Sequence, residues 1–133
     1  MFSPTTRVLI VDDMPSLREL LKAYLRRLGF RNIDEASDGR EAYQMMVSAK
    51  ASGGAFELII SDWNMPNMTG LELLKAVRTV NDWKNLPFLL LTTESEKAKV
   101  VEAVVAGVSN YIVKPVEEEI LKEKLKKVWE KTK

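Results

Sequence analysis

Five polar side chains stand where short apolar segments of this sequence end. They are Asp12, Asp13, Asp62, Thr92 and Lys114. Carboxylates that converge repel one another unless a cation lies among them, and an all-oxygen ligand set suits Mg²⁺. With a lysine and a threonine hydroxyl, such a set supplies the charge neutralisation and the positioning that phosphoryl transfer requires. One carboxylate can itself be the nucleophile and become an aspartyl phosphate.

The segments that carry these residues alternate in type. Continuous apolar runs, typical of buried strands, alternate with segments whose apolar residues recur at helical spacing. The predicted strands cover residues 7–11, 32–36, 57–61, 87–91 and 110–113. The predicted helices begin at Pro15, at the N-cap Asp38 and at the capping box of Thr69, and the last two cover residues 94–106 and 117–131. Strict alternation predicts an α/β fold in which helices cover both faces of a parallel sheet.

The carboxyl ends of parallel strands meet at one edge of the sheet, and ligands bind beyond that edge. We therefore expect the five polar side chains to lie together. A single aspartate at a strand end is often only a loop residue or a helix cap. Five polar or charged residues at the ends of four strands favour a functional site.

The composition excludes several other kinds of chemistry. The 133 residues include no cysteine and no histidine, which rules out thiolate nucleophiles, imidazole bases and a phosphohistidine on this chain. Twenty Lys and Arg against nineteen Asp and Glu leave a net charge of +1, without the basic excess of a nucleic-acid-binding protein. The apolar runs are shorter than a membrane span, and the N-terminus lacks the order of a signal peptide. We expect a cytoplasmic protein that neither binds nucleic acid nor inserts into a membrane.

Four motifs of the chain resemble those of response-regulator receiver domains. They are Val11-Asp12-Asp13, Asp62-Trp63-Asn64-Met65-Pro66, Leu91-Thr92-Thr93-Glu94 and Tyr111-Ile112-Val113-Lys114-Pro115. The resemblance covers the chain from about residue 7 to about residue 129 and is strongest to single-domain receivers of chemotaxis. It implies a flavodoxin-like, doubly wound sheet of five parallel strands in the order 2-1-3-4-5, with five helices. One receiver domain is thus expected over residues 1–133, without a second domain.

The resemblance also implies a role for each residue of the acidic site. Asp62 is expected to accept the phosphoryl group. Lys114 is expected to pair with the acceptor carboxylate and then with the phosphoryl group. The expected ligands of Mg²⁺ are Asp12, Asp13, Asp62 and the main-chain carbonyl of Asn64.

Further roles implied by the resemblance concern the switch. Thr92 is expected to turn inward and bond a phosphoryl oxygen, and Tyr111 to follow it from an exposed to a buried rotamer. Asn64 and Glu94 lie two residues beyond the acceptor and the switch threonine, where receivers tune their dephosphorylation rate, and their types resemble the chemotaxis receivers. The Lys114–Pro115 peptide is expected to be cis.

Two local predictions complete this description. Residues 94–106 are predicted to form one continuous helix with apolar residues at Val100, Val101, Val104 and Val105. Trp63, which follows the expected acceptor, is predicted to face solvent.

The function implied by the resemblance is two-component signalling. A histidine kinase donates a phosphoryl group to Asp62, and the receiver then changes its affinity for an output protein, such as a flagellar motor switch component. A phosphatase is a further expected partner. The chain is expected to be a monomer that catalyses only its own phosphorylation and dephosphorylation, and therefore not an enzyme in the usual sense.

Three alternatives stay open at this point. The chain could be a relay intermediate that passes phosphate to a histidine phosphotransfer protein. It could instead be a Mg²⁺-dependent phosphatase that works through an aspartyl phosphate. A receiver-like module that is never phosphorylated is the third, and the complete set of site residues argues against it.

Overall fold

The computed structural model describes residues 2–132 of the chain, except for the side chains of Glu94, Ser95 and Lys97. The elements are β1 (Arg7–Val11), α1 (Pro15–Arg27), β2 (Asn32–Ala36), α2 (Gly39–Ala51), β3 (Leu58–Asp62), α3 (Gly70–Arg78), a 3₁₀ turn (Asn81–Trp83), β4 (Phe88–Thr92), a 3₁₀ segment (Glu94–Lys99), α4 (Val100–Ala106), β5 (Asn110–Val113) and α5 (Glu118–Lys131). All five predicted strands are confirmed. Within the described residues, no helix combines the length and the apolar character needed to cross a membrane.

The five strands form one parallel sheet in the order β2-β1-β3-β4-β5. This arrangement confirms the predicted α/β, flavodoxin-like architecture. The chain first places β2 on one side of β1 and then crosses to place β3 on the other side. This reversal opens a crevice at the carboxyl ends of β1 and β3, where doubly wound sheets bind their ligands.

The side chains of β1 show how helices cover the sheet. Val8 and Ile10 belong to the core cluster formed with α1 and α5, whereas Leu9 and Val11 belong to the cluster formed with α2 and α3. All four side chains are fully buried. Successive strand residues point to opposite faces, so a strand covered on both sides is apolar at every position. This explains why β1 is a continuous apolar run.

Two helices begin at the caps predicted from the sequence. The Asp38 side chain accepts a hydrogen bond from the Glu41 N–H at 2.8 Å at the start of α2. Thr69 and Glu72 form a capping box at the start of α3, with bonds of 2.9 and 3.1 Å. The second cap holds the far end of the loop that leaves β3, and this loop borders the crevice.

The fourth helix differs from its prediction. Residues 94–99 form a 3₁₀ segment, and the α-helix covers only Val100–Ala106. Three valines of α4 are largely exposed: Val101 at 70%, Val104 at 60% and Val105 at 83%. The small side chains of Ala103 and Ala106 face the core instead. Apolar residues occupy nearly every side of this helix, so helical spacing alone could not identify the buried side.

Candidate functional site

The register of the sheet sets four predicted site residues side by side. The residue before Asp12 on β1 pairs with the residue before Asp62 on β3, so these two aspartates are neighbours across the sheet. Asp62 pairs with the β4 residue that precedes Thr92. Thr92 in turn pairs with the β5 residue that precedes Lys114. The residues therefore lie along one edge of the sheet.

Three aspartates at this edge come close enough to share one cation. One carboxylate oxygen from each of Asp12, Asp13 and Asp62 lies within 4.8 Å of the other two. Asp12 is fully buried and Asp62 is 4% exposed, whereas Asp13 is exposed. A cation can therefore reach the two inner carboxylates from the side of Asp13.

Burial makes the two inner carboxylates difficult to ionise. It raises the pKa of Asp12 from 3.8 to about 6, although a hydrogen bond from the Met14 N–H acts in the opposite direction. Burial also raises the pKa of Asp62, and the Lys114 ammonium offsets part of this effect. Buried negative charge costs free energy unless positive charge compensates it. The cluster therefore favours the binding of a cation.

The donor set fits a hard divalent cation. Asp12 Oδ1 accepts a hydrogen bond from the Met14 N–H at 2.8 Å, whereas the buried Asp12 Oδ2 has no hydrogen-bond partner among the described residues. Leaving a buried acceptor unsatisfied is costly, and a cation among the three carboxylates would satisfy it. Oxygen ligands suit Mg²⁺ and similar hard cations rather than metals that prefer nitrogen or sulfur.

Lys114 supplies the positive charge on the other side of the acceptor. Its Nζ lies 2.7 Å from Asp62 Oδ1, in an ion pair. The Lys114–Pro115 peptide is cis, which confirms the prediction. Asp62 therefore pairs with this ammonium and also lies close to the other two carboxylates.

Thr92 and Tyr111 occupy neighbouring strands beside the site. Thr92 is fully buried, and its hydroxyl donates to the main-chain carbonyl of Ile112 at 3.5 Å, the outer limit of a hydrogen bond. Tyr111 is half-buried, with the Lys124 ammonium 5.4 Å from the centre of its ring. The long bond of the Thr92 hydroxyl is easily exchanged for one to a stronger acceptor.

The remaining predicted residues follow the acceptor or the switch threonine in the chain. Asn64 is exposed, two residues after Asp62. The side chain of Glu94 lies outside the described residues, so its role in dephosphorylation stays a prediction. The prediction for Trp63 was wrong, because its side chain is only 5% exposed and lies in the cluster with α2 and α3. The main-chain N–H of Trp63 donates to the Leu91 carbonyl, which continues the pairing with β4 past the end of β3.

The loop after β3 is held by close backbone approaches. The Gly70 N–H donates to the Trp63 carbonyl at 2.8 Å. Asn67 has a left-handed backbone (φ 67°), and its amide donates to the Asp38 carboxylate at 2.8 Å. These contacts fix the main chain that follows Asp62.

We expect the substitution Gly70→Ala to destabilise the protein by about 2 kcal/mol, the usual scale of overpacking. An added Cβ would overlap the Asp62 carbonyl oxygen and lie 2.9 Å from Leu90 Cδ1. Urea unfolding measures the loss. Lys75→Ala, at an exposed position of the same helix, is the control and should change stability by less than about 0.5 kcal/mol. Equal stability of the two variants would contradict the close approach.

Sequence reasoning missed two residues beside the site. Arg18 donates to the Asp12 carbonyl at 2.6 Å and pairs with Glu35 at 2.7 Å, which fixes the turn after β1. Glu96 is 6% exposed and accepts hydrogen bonds from Thr93. The Thr-x-x-Glu spacing directly after β4 is a capping signal that could have identified Glu96. No comparable pattern pointed to Arg18.

Comparison with known proteins agrees with this geometry. The family model described as the response regulator receiver domain matches residues 8–126. The chain is 45% identical over 125 residues to the chemotaxis protein CheY of Pseudomonas aeruginosa, covering 94% of this chain and 97% of that protein. It is 44% identical over 125 residues to the chemotaxis protein CheY-3 of Vibrio cholerae, with coverages of 94% and 92%.

Solved structures give the same result. Chemotaxis response regulator CheY4 of Vibrio cholerae superposes with a TM-score of 0.80 at 41% identity, covering 93% of this chain and 98% of that one. The receiver domain of a signal transduction histidine kinase from Syntrophus aciditrophicus superposes with a TM-score of 0.82 at 31% identity, with coverages of 97% and 93%. Fold and site together define a domain of phosphorylation-based two-component signalling. The chain belongs to the response regulator receiver domain family.

Proposed function

We propose that this chain is a phospho-accepting switch whose acceptor is Asp62. One observation carries the proposal: Asp62 belongs to the acidic cluster and also pairs with Lys114. One of its carboxylate oxygens lies within 4.8 Å of those of Asp12 and Asp13, and Oδ1 lies 2.7 Å from Lys114 Nζ. A nucleophile between a cation-binding cluster and a fixed ammonium is well placed to receive a phosphoryl group.

Each residue around the acceptor has a separate role in phosphoryl transfer. A carboxylate oxygen of Asp62 attacks phosphorus, the bond from phosphorus to the nitrogen of a phosphohistidine breaks, and that histidine retains the electron pair and takes up a proton. Lys114 neutralises charge on the phosphoryl oxygens. The Thr92 hydroxyl exchanges its long bond to the Ile112 carbonyl for one to a phosphoryl oxygen. Water later hydrolyses the acyl phosphate and restores the carboxylate.

Mg²⁺ is the cation that we propose for the cluster. Asp12, Asp13, Asp62 and the main-chain carbonyl of Asn64 would hold it. When bound, it supplies neutralisation of the negative charge that the phosphoryl oxygens bring. The unsatisfied Asp12 Oδ2 and the raised pKa of Asp12 support a bound cation at this place.

The proposed output is a binding event controlled from the strand beside Thr92. The Thr92 hydroxyl bonds the residue next to Tyr111 on β5, so its exchange of partners can alter the surface formed by α4, β5 and α5. The similarity to chemotaxis proteins supports a cytoplasmic role in chemotaxis, with a histidine kinase as donor and a flagellar motor switch protein as partner. In this role the chain catalyses only its own phosphorylation and dephosphorylation.

Two other functions are less well supported. A relay intermediate would use the same acceptor. The residue types at Asn64 and Glu94, however, resemble those of chemotaxis receivers, in which the signal is short-lived. Aspartyl-phosphate phosphatases usually take their nucleophile from the first strand. Here the ammonium pairs with Asp62 on the third strand, which favours the receiver chemistry.

Acetyl phosphate tests this proposal without a kinase. We expect the protein to gain the mass of one phosphoryl group when Mg²⁺ is present and to gain none when EDTA removes it. Intact-mass spectrometry over time measures both the uptake and the later loss. Uptake that is independent of a divalent cation would contradict the proposed site, and rapid turnover of p-nitrophenyl phosphate would instead indicate a phosphatase.

A further inference from the structure

Glu96 is a buried carboxylate that the phosphoryl-transfer chemistry does not use. It lies in the 3₁₀ segment after β4 and is 6% exposed. Its Oε1 accepts hydrogen bonds from the Thr93 N–H at 2.8 Å and from the Thr93 hydroxyl at 3.1 Å. Its Oε2 is buried and has no hydrogen-bond partner in the described part of the chain.

Two other glutamates show what helix capping requires in this protein. Glu72 accepts from the Thr69 N–H at 2.9 Å, and Glu41 accepts from the Ser37 N–H at 2.8 Å. Both are exposed, so water can satisfy their second oxygens. Capping accounts for the Oε1 contacts of Glu96, but it does not account for the burial of the side chain or for the unsatisfied Oε2.

Glu96 is tied to the site edge of the sheet through Thr93. Thr93, which it holds, follows Thr92 at the site edge of β4, one strand from Asp62. Burial is the largest cause of the raised pKa of Asp62, and the negative charge of Glu96 adds to it as a smaller contribution. Like charges repel strongly where water is excluded. A phosphoryl group on Asp62 would bring further negative charge towards this carboxylate.

We propose that Glu96 is a charge-operated latch on the connection from β4 to α4. The proposal rests on the phosphorylation of Asp62 proposed above. In the unphosphorylated protein, Glu96 occupies the two donors of Thr93 and holds the 3₁₀ segment against the site. A phosphoryl group on Asp62 repels the Glu96 carboxylate and breaks its bonds to Thr93, and the segment that leads into α4 then moves. Glu96 is therefore a positioning residue that also opposes phosphorylation.

Two substitutions separate the charge of Glu96 from its capping contacts. Glu96→Gln keeps an oxygen that can accept both Thr93 bonds but removes the charge, whereas Glu96→Ala removes both. We expect each to raise the rate constant for phosphorylation by acetyl phosphate and Mg²⁺ by about three- to tenfold, the scale of one partly screened charge. Glu72→Gln, the same change at an exposed capping glutamate, should leave the rate unchanged. A glutamate that only caps predicts a wild-type rate for Glu96→Gln.

A second measurement follows the latch itself. In the wild type, the NMR resonance of the Thr93 amide should shift on phosphorylation, because its bond to a carboxylate is lost. If the wild type is phosphorylated while Glu96→Gln reacts at the wild-type rate, or while the Thr93 amide does not shift, the latch is overturned and the proposed function stands. If the wild type takes up no phosphoryl group, both proposals fail.

Discussion

The Asp62→Asn variant should take up phosphoryl groups from acetyl phosphate at least about a thousandfold more slowly than the wild type, because it lacks the nucleophile. Asparagine keeps the size of the side chain but has no carboxylate oxygen to attack phosphorus. The Lys114 ammonium also loses its partner at 2.7 Å. Intact-mass spectrometry in the presence of Mg²⁺ measures the uptake directly.

A matched control tests whether this loss of phosphorylation is specific to the site. Asp82→Asn makes the same chemical change at an exposed residue of the 3₁₀ turn between α3 and β4. It should be phosphorylated at the wild-type rate. Wild-type uptake by Asp62→Asn would place the acceptor elsewhere and contradict the proposed function.

The Asp12→Asn variant should bind Mg²⁺ more weakly, by about tenfold to a hundredfold or more, and yet be more stable than the wild type. The weaker binding follows from the loss of a carboxylate ligand. The added stability follows from the burial that raises the pKa of Asp12 from 3.8 to about 6, because each pK unit corresponds to about 1.4 kcal/mol. We expect a gain of about 2 kcal/mol at pH 7 in EDTA, measured by urea unfolding.

The contribution of Asp12 to the pH dependence of stability in the metal-free wild type has a definite sign. The folded state binds the Asp12 proton more tightly than the unfolded state does, since the folded pKa is the higher one. The contribution of Asp12 to stability should therefore rise as the pH falls from about 6 towards 4, and Asp62 acts in the same direction. Glu35, Asp38 and Glu72 act in the opposite direction, because their pKa values are lowered in the folded state. The Asp12→Asn variant should lack much of this rise. A difference in stability between Asp12→Asn and the metal-free wild type that does not narrow as the pH falls over this range would contradict the ionisation assigned to Asp12.

Asp13 provides the control for this prediction. It belongs to the same acidic cluster but is exposed. Asp13→Asn should therefore weaken Mg²⁺ binding without the gain in stability. Similar gains from both substitutions would mean that relief of general charge repulsion, rather than burial of Asp12, explains the effect.

The sheet and the acidic cluster could be predicted because they depend on signals along the chain. Continuous apolar runs such as β1 reveal strands buried on both faces. The resemblance to receiver domains implied the sheet order, which makes the strands that present Asp12 and Asp62 neighbours. The caps at Asp38 and Thr69 likewise depend on residues only three positions apart.

The remaining features depend on packing that local patterns do not contain. Trp63 is predicted in solvent because it follows the acceptor, but its main chain continues the pairing with β4 and its side chain lies in the core. The valines of α4 form an apolar pattern, but three of them are exposed because the helix packs on the core through Ala103 and Ala106. The burial of Glu96 also depends on how the segment after β4 folds back towards the site.

The location of the phosphoryl group tests the central claim most directly. The wild type is treated with acetyl phosphate and Mg²⁺, and borohydride then reduces any acyl phosphate to the alcohol before digestion and peptide sequencing by mass spectrometry. We predict homoserine at position 62, in place of Asp62, and unmodified aspartate at Asp12 and Asp13. Reduction at another carboxylate, or no reduction in a protein that carries the added mass, would contradict the assignment of Asp62 as the acceptor.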